Sequence, residues 1–327
     1  MANTILTKAI RIAAAGGPEV LQMVDIELGE PGPGEAQVEH AAIGLNYIDV
    51  YFRSGKYPQP MPAGCGTEGA GYVRAIGAGV THLKVGDRVA YAGGPQGSYS
   101  LIRNMPASFL VKIPKSIDFE TAACMMLKGM TVEYLLNRTY KVQKGQTILF
   151  HAAAGGVGLI AMQWAKALGV KVIGTVGSEE KAKLALAHGA KHIIYYNTEN
   201  VAERVKEITK GAMVPVVYDS VGKSTFQASL DSLCPYGLLV SFGNASGAIP
   251  PMELTALKGT LYITRPSLMP HIASRKNLEE MSGNLMKMIS KGKVKIKIDQ
   301  RYNIADVAQA HSDLEARKTT GATVLLP

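Results

Sequence analysis

The sequence predicts an α/β protein in which a β-rich first domain, curved into a small barrel, is joined to a doubly wound parallel sheet. Three observations carry this. Residues 1 to about 115 form short apolar segments punctuated by turn signals, strands and helices alternate from Gln146 onward, and 327 residues exceed what one ordinary core organises.

In chain order, KAIRIAA, VLQMVDI and QVEHAAIG are apolar-rich segments separated by GGPE and GEPGPGE, which are strong turn signals. EGAGYVRAIGAGV continues as glycine-interrupted strands that would bend around a barrel, and DRVAY, YSLI and FLVKIP complete the set. DFETAACMMLKGMTVEYLLN (118–137) has helical composition, with a break expected at Lys128-Gly129. Then QTILFH, KVIGTV, HIIYY and PVVYDS are each followed by a helical stretch, and GLLVSFG closes the series. Short buried strands alternating with helices make a parallel sheet. After about residue 266 come a long helix (274–291), a strand, a short helix from Ile304 and the final strand GATVLLP. That tail has no core of its own and is expected to return to the first domain. The expected division is therefore 1–125 with 267–327, and 126–266.

Apolar residues make up 47% and charged residues 19%, a soluble globular profile. MANTILTKAIRIAAAGG lacks the pattern of a secretory leader, and no run approaches the roughly 18 apolar residues of a membrane helix. Cys65, Cys124 and Cys234 lie far apart with no CxxC pair, so no disulfide framework is expected and a reducing cytoplasm fits. The net charge of +9 is compatible with nucleic acid, an anionic surface or a dinucleotide phosphate. KGKVKIK (291–297) reads more simply as a solvated face, and no aromatic-rich RNA motif accompanies it, so RNA is a possible but unfavoured partner.

The strongest local signal is QTILFHAAAGGVGLIAMQWAKALG (146–169). A strand ending at His151 runs into Ala152, Gly155, Gly156 and Gly158, and the next helix carries Val157, Ile160, Ala161, Trp164, Ala165 and Leu168 on one face. Small residues permit the turn and let the backbone approach a pyrophosphate, which rests on unpaired N–H groups at the helix start. Set between strand and helix and followed by further βα units, the pattern indicates a dinucleotide. An NAD site would place an acid about 20 residues past the first glycine, on the ribose hydroxyls. Here the second strand ends Gly174-Thr175-Val176-Gly177-Ser178 with no acid at its tip, and Lys181 follows where an ammonium could meet a 2′-phosphate. NADPH is the expected cofactor, with Glu179 and Glu180 read as ordinary first-turn acids.

IGLNYIDVYFRSGKYP, GTEGAG, GDRV, LKGMT, AAAGGVG, VVYDSVG, SFGNASG and TRPSL, in this order over essentially the whole chain, resemble the medium-chain dehydrogenases, and among them the bacterial quinone reductases and zeta-crystallin. The resemblance implies a GroES-like barrel domain, a Rossmann cofactor domain and a homodimer. In the zinc alcohol dehydrogenases the loop read here as GLNYID would carry a cysteine ligand and GTEGAG a histidine. This chain has Asn46 and Thr67, and the clustered cysteines of a structural zinc lobe are missing. No metal is expected. His151 most simply ends a buried strand.

Quinones accept hydride readily, so the protein must hold the nicotinamide against the ring and stabilise a developing oxyanion. The resemblance puts Asn46 and Tyr51 at the active-site lip as hydrogen-bond donors, or alternatively as a structural pair, and brings Arg265 to the nicotinamide end. Asp49 would shape the loop or bind nicotinamide-ribose groups. Tyr47, Tyr134, Ser220, Phe242, Gly243 and Asn244 would line the cofactor site beside Gly155, Gly156 and Val157. Gly177, Ser178, Lys181, Tyr196 and Arg317 would gather at the adenosine phosphate. Two other readings stay open: NADPH-dependent reduction of an activated C=C bond, as in enone and 2-haloacrylate reductases, and an RNA-binding or crystallin-like protein.

Overall fold

The computed structural model describes residues 4–327. The chain divides into two compact units, the first Met1–Met130, Ile272–Met286 and Ile296–Pro327, the second Thr131–His271 and Lys287–Lys295.

In the first unit, Ile5–Ile12 pairs with Gln22–Leu28 and Ala63–Gly64 in a three-stranded sheet. A seven-stranded sheet runs in the order Ile298–Asn303, Ala322–Leu326, Glu35–Leu45, Glu68–Ile76, Arg88–Ala92 and Val111–Lys112, with Ile102–Pro106 also paired to Glu35–Leu45. The strand Glu35–Leu45 bends where its register with Glu68–Ile76 slips, between Gln37 and Val38 and again between His40 and Ala42. Gly71 makes the bend possible, since a Cβ there would lie 1.9 Å from the Glu39 carbonyl oxygen. Ile10, Ile12, Ile43, Leu45, Tyr99, Val307 and Leu325 form one buried cluster, and Val38, Val73, Val89, Tyr91 and Leu110 another. The C-terminal strand Ala322–Leu326 has its place in this sheet because four of its five residues are buried, a run that needs cover on both faces.

Helix Phe119–Tyr134 passes through Lys128-Gly129 without the expected break, and continues as a five-residue π-helical turn, Leu135–Thr139. Gly129 has a packing reason instead: a Cβ there would meet the Leu285 side chain at 2.4 Å, so the glycine admits helix Arg275–Ser290.

The second unit is built on a six-stranded parallel sheet, in the order His192–Tyr195, Lys171–Val176, Thr147–Phe150, Val214–Asp219, Leu233–Ser241, Tyr262–Thr264. Chain order therefore starts at the centre, winds to one edge, returns and winds to the other. This is the doubly wound α/β arrangement, whose ligand crevice lies where the order reverses, between Thr147–Phe150 and Val214–Asp219. Ile148, Leu149, Val172, Ile173, Val216 and Val217 are buried, as strands covered on both faces require. Helix Gly156–Ala167 buries Leu159 and Met162 as well as Ile160, Ala161, Trp164 and Ala165, so its apolar face is wider than its spacing alone predicts, while Val157 and Leu168 are half-buried. Among the described residues no helix is long and apolar enough to cross a membrane.

Candidate active site

In the second unit the turn after Thr147–Phe150 is made by small residues for steric reasons. Ala152 takes a left-handed conformation (φ 55°), and the Ala153 amide bonds the Thr175 carbonyl at 3.1 Å. A Cβ on Gly158 would stand 2.4 Å from the Ala152 oxygen, and one on Gly243 2.5 Å from the Ser220 oxygen. Gly155 is exposed and begins helix Gly156–Ala167 with no side-chain cap, so the first amides of that helix, including Gly156 and Val157, are left without a side-chain acceptor and suit an anion. The turn fits a pyrophosphate.

Under the turn lies a chain of polar side chains. Asp219 accepts the amides of Val221 (2.7 Å) and Gly222 (3.0 Å) and the hydroxyls of Thr225 (2.7 Å) and Ser229 (2.8 Å). Ser229 meets His151 Nε2 at 3.0 Å, and His151 Nδ1 meets Thr175 Oγ1 at 3.0 Å. Burial holds the His151 imidazole below its ordinary pKa, so it is a neutral tie from the end of Thr147–Phe150 to strand Lys171–Val176 and helix Phe226–Asp231.

At the tip of Lys171–Val176 the structure assembles Gly177, Ser178, Lys181 and Tyr196. Ser178 caps helix Glu179–His188 by accepting the Lys181 amide at 3.3 Å, and the Tyr196 hydroxyl would lie 2.5 Å from a Cβ on Gly177. Glu179 is turned to Lys183 at 2.8 Å, an exposed i,i+4 pair. At the other end of the crevice Phe242 donates its amide to Asp219 and packs near Phe150 at 5.8 Å, Asn244 borders Gly222, and Arg265 donates to the Ser241 carbonyl at 3.1 Å. Tyr134 is buried against His271, the rings stacked at 4.5 Å; burial pushes its hydroxyl up to about 12, against the nearby Arg265 charge, so it is a donor at neutral pH.

In the first unit Asn46 starts helix Tyr47–Arg53, and its amide bonds Asp49 Oδ2 at 2.9 Å while Asp49 N returns to the Asn46 carbonyl at 3.0 Å. Asp49 has no exposed surface: Thr67 donates to Oδ1 (2.9 Å) and Tyr99 to Oδ2 (2.9 Å). Of its two expected roles, these bonds serve the first, shaping the loop. Burial pushes its carboxyl up to about 6 despite these donors. Behind it, Tyr99 meets His311 Nε2 at 3.1 Å, Arg53 donates to His311 Nδ1 at 3.3 Å, and Arg53 holds Glu315 at 2.7 and 3.0 Å. On the same helix Tyr51 packs edge-on to Tyr47 (5.3 Å) and against Tyr57 (5.1 Å), with Lys56 Nζ 5.4 Å above its ring. Burial holds the Tyr47 hydroxyl above its ordinary pKa, with Glu315 adding to the shift and Arg317 and Arg53 opposing it. Arg317, expected beside Lys181 and Tyr196, belongs to the first unit and its charge acts on Tyr47.

Residues 32–115 match the alcohol dehydrogenase GroES-like domain and residues 156–290 the zinc-binding dehydrogenase family. A quinone oxidoreductase of Pseudomonas aeruginosa is 56% identical over 98% of this chain and 100% of its own. The chain belongs to the quinone oxidoreductases of the medium-chain dehydrogenase/reductase superfamily. Among quinone oxidoreductases of known structure, that of Escherichia coli, complexed with NADPH, superposes with a TM-score of 0.96 at 50% identity, covering 98% of this chain and 100% of that one. A 2-haloacrylate reductase from a Burkholderia species is 41% identical over 98% of this chain and 99% of its own.

The zinc implied by one family description does not fit the residues of this quinone oxidoreductase. Asn46 Oδ1 faces the Lys128 ammonium at 2.6 Å, and the Thr67 hydroxyl is spent on Asp49. Burial pushes the Cys65 thiol far up and that of Cys124 to about 12, away from the thiolate a metal needs. No group of three or more His, Cys, Asp or Glu among the described residues is placed to hold an ion. Sequence reasoning missed Lys128 and Glu68; the available signal was a single lysine inside the apolar helical run AACMMLKGM.

Proposed function

We propose that this chain is an NADPH-dependent quinone reductase that works without a metal. The observation that carries the reading is an open glycine turn with an acid-free strand tip, in a chain that matches quinone oxidoreductases from end to end. Bound NADPH supplies the hydride. The amides of Gly156 and Val157, at the helix start that Gly155 leaves open, take the pyrophosphate, and Gly177, Ser178, Lys181 and Tyr196 take the 2′-phosphate. Ser220, Phe242, Gly243, Asn244, Arg265 and Tyr134 orient the nicotinamide half. Asn46 and Tyr51 serve the acceptor as donors to the oxygen that gains charge, and Tyr47 lines the cofactor site. The first unit is thus the catalytic one and the second the cofactor unit.

Tyr51→Phe tests the acceptor chemistry. The substitution removes one hydroxyl and preserves the ring's packing on Tyr47 and Tyr57. Hydride transfer to a quinone leaves an oxyanion that water can protonate, so the rate with 1,4-benzoquinone should fall about tenfold or less. The relation to the 2-haloacrylate reductase supports a second reading, reduction of an activated C=C bond. That reaction needs a proton at carbon, and loss of its general acid would cost on the order of 10²–10⁴-fold. A loss of that size with quinone would transfer the assignment to the second reading.

A homodimer is also proposed. Tyr262–Thr264 is one of the two edge strands of the parallel sheet, and Tyr262 and Ile263 are exposed on it, an apolar sheet edge that suits a partner. Sedimentation should give a dimer mass that falls to the monomer in Tyr262→Asp/Ile263→Lys; a wild-type monomer would remove this part of the reading.

A further inference from the structure

Helix Phe119–Tyr134 buries Ala122, Ala123, Cys124, Met125 and Met126 completely, and Lys128, only 8% exposed, follows in the same apolar run. Its Nζ donates to the Leu45 carbonyl (3.2 Å) and to Asn46 Oδ1 (2.6 Å), and stands 3.8 Å from Glu68 Oε2. Glu68 is fully buried; it accepts Asn46 Nδ2 at 2.7 Å and the Leu127 amide at 2.8 Å. Gly44 makes the space, because a Cβ there would lie 2.1 Å from the Ala123 oxygen and 2.7 Å from Glu68 Oε2. The Asn46 amide is thus gripped at its oxygen by a cation and at its nitrogen by a carboxylate. Turning it over would set NH₂ against ammonium and oxygen against carboxylate.

We infer that Lys128 is a positioning residue for the reduction site: with Glu68 it locks the Asn46 amide in one orientation and so fixes where its second N–H points. A buried ion pair is often no more stabilising than apolar residues of the same volume, so fold stability alone gives little reason for one in this helix. An amide carries two N–H donors, and Glu68 takes one. The other is the donor that serves the acceptor oxygen or the nicotinamide carboxamide. This rests on the function proposed above, and a cation of the protein's own occupies the surroundings in which the zinc relatives would have a metal ligand.

The test is a cycle of Lys128→Met, Asn46→Ala and the double variant, read as kcat/KM for 1,4-benzoquinone at saturating NADPH. Each single change should cost about tenfold, and the double variant about the same tenfold, because Lys128 acts through Asn46. A double variant down by the product, about a hundredfold, would overturn the inference. Lys128→Met/Glu68→Gln removes the carboxylate that the single change strands. Its melting temperature should return towards wild type while the rate stays low; a rate that recovers with stability would make Lys128 merely structural. Selective ¹⁵N-asparagine labelling gives a readout that needs no substrate. The Asn46 side-chain amide, assigned by its loss in Asn46→Ala, should exchange slowly in the wild type and rapidly in Lys128→Met. Unchanged exchange overturns the inference even if the chain proves inactive with quinones, a result that would count against the proposed function instead.

Discussion

Acid should destabilise the first unit by several kcal/mol between pH 6.5 and pH 4, well before ordinary carboxylates titrate. His40 is fully buried, with Nδ1 on the Ser100 carbonyl at 2.7 Å and Nε2 on the Tyr91 hydroxyl at 2.8 Å; burial lowers it to about 4. His311 is lowered to about 3, by burial first and by the Arg53 charge second. Arg53 donates to Nδ1, so the His311 proton sits on Nε2 and is donated to the Tyr99 oxygen, while the Tyr99 hydroxyl donates its own hydrogen bond to Asp49. The unfolded chain takes up protons on both imidazoles below about 6.5 and the folded chain does not. Their contribution is therefore complete above pH 6.5 and is lost as pH falls towards 4 and 3, roughly 3 kcal/mol or more for each. Asp49 works the other way. Its folded value near 6 lies above the unfolded one, so its contribution is complete below about 4 and is lost as pH rises through 6, returning roughly 3 kcal/mol on acidification. The net expectation is a loss of about 3–5 kcal/mol, measured as the guanidinium midpoint by circular dichroism at pH 7 and pH 4.5. His311→Gln can accept from Arg53 and donate to Tyr99 but cannot be protonated, so it should flatten the acid slope. A midpoint independent of pH over this range would show that neither imidazole is held neutral.

Lys181→Ala should weaken NADPH binding about 5- to 150-fold and leave NADH within about twofold. Lys181 stands at the third position of helix Glu179–His188, after a strand tip that carries no acid and whose Gly177 lies against the Tyr196 hydroxyl. A charge-assisted contact to a phosphate is worth roughly 1–3 kcal/mol, which sets the range. NADH lacks the 2′-phosphate and gives Lys181 nothing to hold. Titration by nucleotide fluorescence decides it: equal losses for both nucleotides would place Lys181 away from the phosphate.

How much of this was legible in the sequence depended on whether the cause was local. The glycine turn at 155–158 and the acid-free tip at Gly177-Ser178 were readable because steric limits and the helix start act within a few residues. The parallel, doubly wound sheet followed from the βα alternation, which showed five of its strands; the sixth, Tyr262–Thr264, was not read, being only three residues long. The expected break at Lys128-Gly129 failed because a glycine in a helix can serve an incoming neighbour, here Leu285, which lies 156 positions further on. The grip on Asn46 was hidden for the same reason, since Lys128 and Glu68 reach it from 82 and 22 residues away. Asp49 was read as two possibilities, and its bonds to Thr67 and Tyr99, 18 and 50 residues away, supply the loop-shaping one. Arg317 was carried over from resemblance alone, and its charge acts on Tyr47 in the first unit, to which the C-terminal segment returns.

The most direct test of metal-free, NADPH-dependent quinone reduction is the rate of NADPH oxidation by dipicolinate-treated, metal-assayed protein, with 1,4-benzoquinone and 2-cyclohexenone compared under one set of conditions. Asn46 and Thr67 give zinc nothing to bind, so full activity should survive chelation, with NADPH far better than NADH and the quinone faster than the enone. Stoichiometric zinc whose removal abolishes turnover, or an enone reduced faster than the quinone, would contradict the account.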